Sequence, residues 1–164
     1  MHEFLDYLTE AYLIYSVQIH SRSLRSKQIN PRKVYVIDTG LANAFLHQPQ
    51  PDWGRLLENH VFMELRRRET NIEYYRTAQG HEVDFLVTSI TGARALYQVS
   101  FDLHDPTIRQ REVQALYEAM TELDISQGTI VTLEDQETIE GDAGVIRVLP
   151  AWMFATGERF LAMD

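Results

Sequence analysis

Val83-Asp84-Phe85-Leu86-Val87 and Ala95-Leu96-Tyr97-Gln98-Val99-Ser100 decide how this chain is read. Both are short, apolar and rich in β-branched and aromatic residues, and Ile90-Thr91-Gly92 between them carries a turn signal, so they are expected to form adjacent strands. Each holds polar residues inside its apolar run. Strand side chains alternate faces, which puts Asp84 with Leu86, and Gln98 and Ser100 with Leu96. Paired through the turn, the strands would bring a carboxylate, an amide and a hydroxyl to one patch. Burying such groups is costly unless they are partnered, so the patch is a candidate site.

Outward from this hairpin, Ile72-Glu73-Tyr74-Tyr75-Arg76 reads as a strand and Gln79-Gly80 as a turn into the Asp84 segment. Asp52 is a good N-cap for a helix that runs through Leu57, Val61, Phe62 and Leu65 to Arg66-Arg67-Arg68, cations suited to a helix C-terminus. Its apolar arc contains Glu58, with Glu64 at the other edge. Downstream, a helix is expected from Thr107 to Leu123 and strands from Gly128 to Leu133 and from Gly144 to Leu149, joined by an acidic loop from Glu134 to Asp142. Upstream, the spacing of Phe4, Leu5, Leu8, Ala11, Tyr12, Tyr15 and Ile19 predicts one amphipathic helix over residues 3–19. A basic connector from His20 to Lys33 holds Arg22, Arg25, Lys27, Arg32 and Lys33 with no acid. Val34 to Ile37 is a short strand, and Leu41 to Leu46 a short helix after Asp38-Thr39-Gly40. The order implies an α/β fold with a mixed sheet flanked by helices, preceded by a short N-terminal helical appendage.

The chain has 164 residues, no cysteine and a net charge of −9. Thiolate chemistry, disulfides and sulfur-ligated metals are excluded. No apolar run approaches the roughly 18–20 residues of a membrane span, and the start lacks a secretory pattern, so a cytoplasmic protein without a membrane partner is expected. Residues 1–76 carry ten Lys/Arg against nine Asp/Glu, and residues 77–164 five against fifteen. Any attraction for nucleic-acid phosphate must therefore come from the N-terminal part, where Arg22, Arg25, Lys27, Arg32 and Lys33 are the candidate DNA contacts.

A helix with an inward Glu, then a hairpin with Asp on one strand and polar residues at i and i+2 on the next, resembles the core of a PD-(D/E)xK nuclease. Lys33-Val34-Tyr35-Val36-Ile37-Asp38-Thr39-Gly40-Leu41, Leu57-Glu58-Asn59-His60-Val61, Tyr75-Arg76-Thr77 and Gly80-His81-Glu82-Val83-Asp84-Phe85 resemble signature stretches of the C-terminal domain of prokaryotic AAA-type ATPases known as domain of unknown function 4143. The similarity covers roughly residues 30–135, and the preceding helix looks like the tail of that family's winged-helix region. The resemblance implies residues 1–30 as helix and basic connector and 31–164 as a restriction-endonuclease-like domain. It also implies an ATPase module as partner, although the chain has no GxxxxGK[ST] phosphate loop. Self-association is a second partner class.

Carried over residue by residue, the nuclease pattern falls on Glu58, Asp84, Gln98 and Ser100. Glu58 and Asp84 would hold Mg²⁺ or Mn²⁺, the cofactors the resemblance implies. Gln98 stands where the pattern has a third acid and Ser100 where it has the lysine. Lys27 and Lys33, the chain's two lysines, read as outside this core, leaving Arg76 or Arg94 as replacement cations, both poor proton acceptors. The expectation is a catalytically impaired, nuclease-like accessory domain of an AAA-type ATPase, acting in nucleic-acid handling or protein interaction. The alternative is an active Mg²⁺- or Mn²⁺-dependent nuclease using Glu58 and Asp84.

Overall fold

A computed structural model describes residues 2–40, 51–69 and 71–156. Six strands form one mixed sheet: β3 (Asn71–Arg76), β4 (Glu82–Thr88), β5 (Arg94–Val99), β6 (Gln127–Thr132), β8 (Gly144–Pro150) and β7 (Glu137–Gly141), in that spatial order. β3, β4 and β5 are antiparallel neighbours, whereas β5, β6 and β8 run parallel and β7 closes the far edge antiparallel. The parallel step from β5 to β6 needs a crossover, and helix α4 (Pro106–Leu123) supplies it. Asp105 caps that helix by accepting from the Thr107 and Ile108 amides, with Pro106 in the first turn where no N–H is missed.

The two faces of the sheet bury different clusters. α4 covers Leu86, Leu96, Ile130, Ile146 and Val148 with Leu116, Ala119 and Met120. The other face packs Phe85, Val87, Tyr97 and Val131 against Leu57, Val61, Phe62 and Leu65 of α3 (Trp53–Arg68) and Phe154 of α5 (Ala151–Thr156). Asp52 caps α3 through the Arg55 amide. At its other end Arg68 donates to the carbonyls of Phe154 and Ala155, and so ties α3 to α5.

The N-terminal expectation is corrected. α1 spans only His2–Glu10, and Ile14–Val17 is strand β1, paired antiparallel with β2 (Lys33–Val36). Tyr12, at φ 56°, turns the chain out of the helix. Helical spacing lost because Ile14-Tyr15-Ser16-Val17 has the β-branched and aromatic content of a strand and finds a partner later in the chain. The connector holds a one-and-a-half-turn helix, α2 (Leu24–Ile29), capped by Ser23. After β1 the chain joins the main sheet's edge at Tyr74, whose N–H donates to the Gln18 carbonyl and whose carbonyl accepts from the His20 amide.

The acidic segment after β6 is not only a loop, since Glu137–Gly141 is edge strand β7. Its charged side chains suit an edge that must not recruit further strands. Gly144 sets the turn into β8: its φ is +129°, and a Cβ there would lie 2.1 Å from the Ser126 carbonyl oxygen. The short helix expected at Leu41 to Leu46 lies outside the described residues.

Candidate functional site

β4 contains a bulge at the residue that matters. Glu73 pairs with Leu86 and Tyr75 with Val83, so Asp84 and Phe85 together oppose Tyr74. The extra residue breaks the alternation: Val83 joins the α4-side cluster and Phe85 the α3-side cluster. Asp84 is thereby turned away from the face it would share with Leu86 in a regular strand, toward α3 and β2. One carboxylate oxygen accepts from the Val99 amide at 2.9 Å, and the other meets Lys33 Nζ at 2.7 Å.

Lys33 corrects the reading that both lysines lie outside the core. From β2 its ammonium reaches Asp84, Glu58 at 3.2 Å and Glu82 at 3.0 Å. Tyr35, two residues along the same strand face, donates its hydroxyl to the same Glu58 oxygen at 2.7 Å and stacks on Phe62 with ring centroids 4.3 Å apart. Asn59 fixes β2 in place, because its side chain accepts from the Val36 amide at 2.8 Å and donates to the Val36 carbonyl at 2.9 Å, as a neighbouring strand would. Glu58 and Asn59, adjacent on α3, thus hold the side chains and backbone of one short strand.

The electrostatics follow from burial and these contacts. Burial pushes the Asp84 carboxyl up to about 6, against the pull of Lys33 and with a further push from Glu58. Burial opposes the charge on Lys33, but Asp84, Glu58 and Glu82 outweigh it and raise the ammonium above its ordinary range. Glu82 is partly buried, yet Lys33 and Arg76 hold it below the usual carboxylate range. The Tyr35 hydroxyl is pushed up by burial and by Glu58. Lys33 therefore stays protonated at neutral pH and is not poised to accept a proton.

The other candidates lie elsewhere. Gln98, on the α4 side, accepts from the Asp84 amide at 3.1 Å and donates to the buried Glu112 carboxylate at 2.5 Å, which Arg111 also contacts. It touches the backbone of Asp84 and not its carboxylate. Ser100 donates its hydroxyl to the Asp102 carbonyl at 3.1 Å. Arg76 pairs with Glu82, and Arg94 donates to the Leu123 carbonyl at the end of α4, so neither takes the place of a site lysine. Lys27 is bound to Glu73, beside His20 on the same carboxylate. Arg22, Arg25 and Arg32 are exposed. His81 pairs with Glu118 at 2.8 Å.

In this arrangement the space among the carboxylates is taken by the Lys33 ammonium. Mg²⁺ demands a compact octahedron of oxygens, but the oxygens of Glu58, Asp84 and Glu82 are spaced around an ammonium. Among the described residues, Asp102, His104 and Asp135 are the one group of three or more ligating side chains with donor atoms within 4.8 Å of one another. Lys33 and Tyr35 had a sequence signal: in Lys-Val-Tyr-Val, positions 33 and 35 share a strand face. Glu82 and Asn59 had none beyond their place in the quoted motifs.

Among the described residues no helix is long and apolar enough to cross a membrane. No solved structure matches the chain. The uncharacterized protein MJ1544 of Methanocaldococcus jannaschii is 32% identical over 94% of this chain, which spans only 36% of that relative's length. A family described as a domain of unknown function (DUF8612) matches residues 1–52. The site draws Lys33 and Tyr35 from that stretch and Glu58, Glu82 and Asp84 from the next, where the match covers residues 53–154 and well over half of the chain. The chain belongs to the family described as domain of unknown function DUF4143.

Proposed function

We propose that this chain is a non-catalytic, nuclease-like accessory domain of an AAA-type ATPase, in which an internal lysine takes the position that a divalent cation holds in active nucleases. The observation that carries the reading is the Lys33 ammonium within 3.2 Å of three carboxylates. A buried cation neutralises Glu58 and Asp84 as a metal would, but offers neither a Lewis acid nor a bound water. The position of the third acid is filled by Gln98, itself committed to Glu112. The strand order around the Asp84 hairpin and the inward Glu58 support the restriction-endonuclease-like likeness. The ATPase context rests on the motif resemblance, and a relative longer than the matched stretch is compatible with it. Of the two accessory roles, protein interaction is the better supported: the chain is acidic, and Lys27 and Lys33 are spent on internal carboxylates.

One observation favours an active nuclease instead, namely that a lysine does lie beside Glu58 and Asp84. The test is cleavage of supercoiled plasmid and of single-stranded DNA and RNA in millimolar Mg²⁺ or Mn²⁺. The proposal expects no cleavage above that of an Asp84→Ala control. Metal-dependent cleavage lost in Asp84→Ala and in Glu58→Ala, with both variants folded, would establish the nuclease.

A further inference from the structure

Large apolar side chains are exposed unevenly over this molecule. Among the described residues, ten of the fourteen lie in the first 53 positions: Phe4, Leu5, Tyr7, Tyr12, Leu13, Leu24, Ile29, Val34, Ile37 and Trp53. α1 buries none of its described side chains, and neither does α2. Phe4, Tyr7, Tyr12 and Trp53 are 66%, 67%, 69% and 59% exposed. At 150–250 Å² per aromatic side chain, these four alone present roughly 400–650 Å² of surface. The six aliphatic residues add to this exposed apolar area, and a standard interface buries about 800 Å² per partner.

Charge along the same stretch of chain is segregated. Asp6 and Glu10 of α1 are exposed acids, and no Lys or Arg lies between Met1 and His20. Arg22, Arg25 and Arg32 around α2 are exposed bases, and no acid lies between His20 and Lys33. None of these five side chains makes an ion pair among the described residues. An acidic-apolar arm followed by a basic-apolar arm complements a second copy of itself: under a two-fold axis, each α1 can meet the partner's α2, and both contacts match in charge.

We propose that the N-terminal surface is a two-fold interface between copies of this chain, with the Asp6 and Glu10 arm of one copy lying on the Arg22 and Arg25 arm of the other. The inference is independent of how the Lys33 site is read. Apolar contact supplies the affinity, and the charges set the pairing and make it sensitive to salt.

The test is sedimentation equilibrium of the wild-type chain and two charge-reversed variants, Asp6→Lys/Glu10→Lys and Arg22→Glu/Arg25→Glu, with circular dichroism to confirm folding. These positions are exposed, so both variants should fold. The proposal expects a wild-type dimer at micromolar concentration that weakens in high salt. Each variant alone should be at least tenfold weaker in self-association, because its like charges oppose at both contacts. An equimolar mixture of the two should dimerise again, since unlike charges then face each other at both. A wild-type monomer at high micromolar concentration would overturn the proposal, and so would a dimer that the reversals leave unchanged or a mixture that stays monomeric. A monomer that binds duplex DNA through Arg22 and Arg25 would assign the surface to nucleic acid and overturn it equally.

Discussion

Replacing Lys33 by methionine keeps most of the side-chain volume and removes the charge, which leaves Glu58, Asp84 and Glu82 without their common partner. The Lys33 and Asp84 side chains are 21% and 12% exposed. Losing one member of a buried ion pair typically costs about 3–5 kcal/mol, most of it the penalty of the abandoned charge. Two features place Lys33→Met at the lower end. Glu82 is 35% exposed and keeps Arg76, so its share is small. Asp84, already raised to about 6, can take up a proton near neutrality and so limit the penalty. The expected loss at neutral pH is therefore about 3 kcal/mol, or a fall in Tm of roughly 6–12 °C for a chain of this size. Near pH 5, where Asp84 is largely protonated, the loss should shrink. Urea unfolding followed by circular dichroism and by Trp53 and Trp152 fluorescence would measure it at both pH values. A double variant, Lys33→Met/Asp84→Asn, should recover part of the loss because it removes the stranded charge. If Lys33→Met changes stability by less than about 0.5 kcal/mol, as neutral surface substitutions do, or costs the same at both pH values, the reasoning about a buried cation is wrong.

Three further outcomes are expected. Asn59→Ala should cost about 2–4 kcal/mol, because it strands the N–H and C=O of Val36; urea unfolding gives the value, and hydrogen exchange at Val36 should lose protection. The contribution of Asp84 to stability, read as wild type minus Asp84→Asn, should fall as pH rises from about 4 to about 6, since Asp84 titrates from an ordinary 3.8 unfolded to about 6 folded and the folded state holds the extra proton in that window. Lys33, raised above its ordinary 10.5, should lose its stabilising charge only as pH climbs past 10.5, so Asp84→Asn should flatten the acid window and, because Asp84 is the foremost carboxylate holding Lys33 up, also narrow the alkaline one in pH-dependent melts. Gly144→Ala should cost at least about 2 kcal/mol, combining left-handed strain with a clash against the Ser126 carbonyl, whereas Gly92→Ala meets nothing within 4 Å and should cost only its φ of +86°.

Much of this arrangement was legible in the residues. The β4–β5 hairpin announced itself through two β-rich runs around Ile90-Thr91-Gly92, and Gly92 does close the turn, with its N–H on the Ser89 carbonyl. The 3.6-residue spacing of Leu116, Met120 and Leu123 placed α4, and the helix through Glu58 was readable from its Asp52 cap to its arginine run. The misreadings share a cause, which is that each depended on a pairing partner outside the segment being read. Ile14–Val17 fits a helical stripe locally and becomes a strand because Lys33–Val36 pairs with it. Glu137–Gly141 has no apolar pattern, and its strand exists because β8 offers an edge. The site failed in the same way. Alternation put Asp84 with Leu86, but a bulge seen only against β3 turns it to the other side. Lys33 looked remote at 25 residues from Glu58 and 51 from Asp84, yet β2 folds back and Asn59 holds it there.

The central claim is that Lys33 holds the position of a metal ion. Calorimetric titration of Mn²⁺ into the wild-type chain at neutral pH, with Asp84→Ala as control, tests it most directly. The account predicts no saturable heat at millimolar metal and identical traces for both proteins. Saturable binding by the wild type that Asp84→Ala abolishes would contradict it, because a divalent cation would then displace the ammonium from its carboxylates.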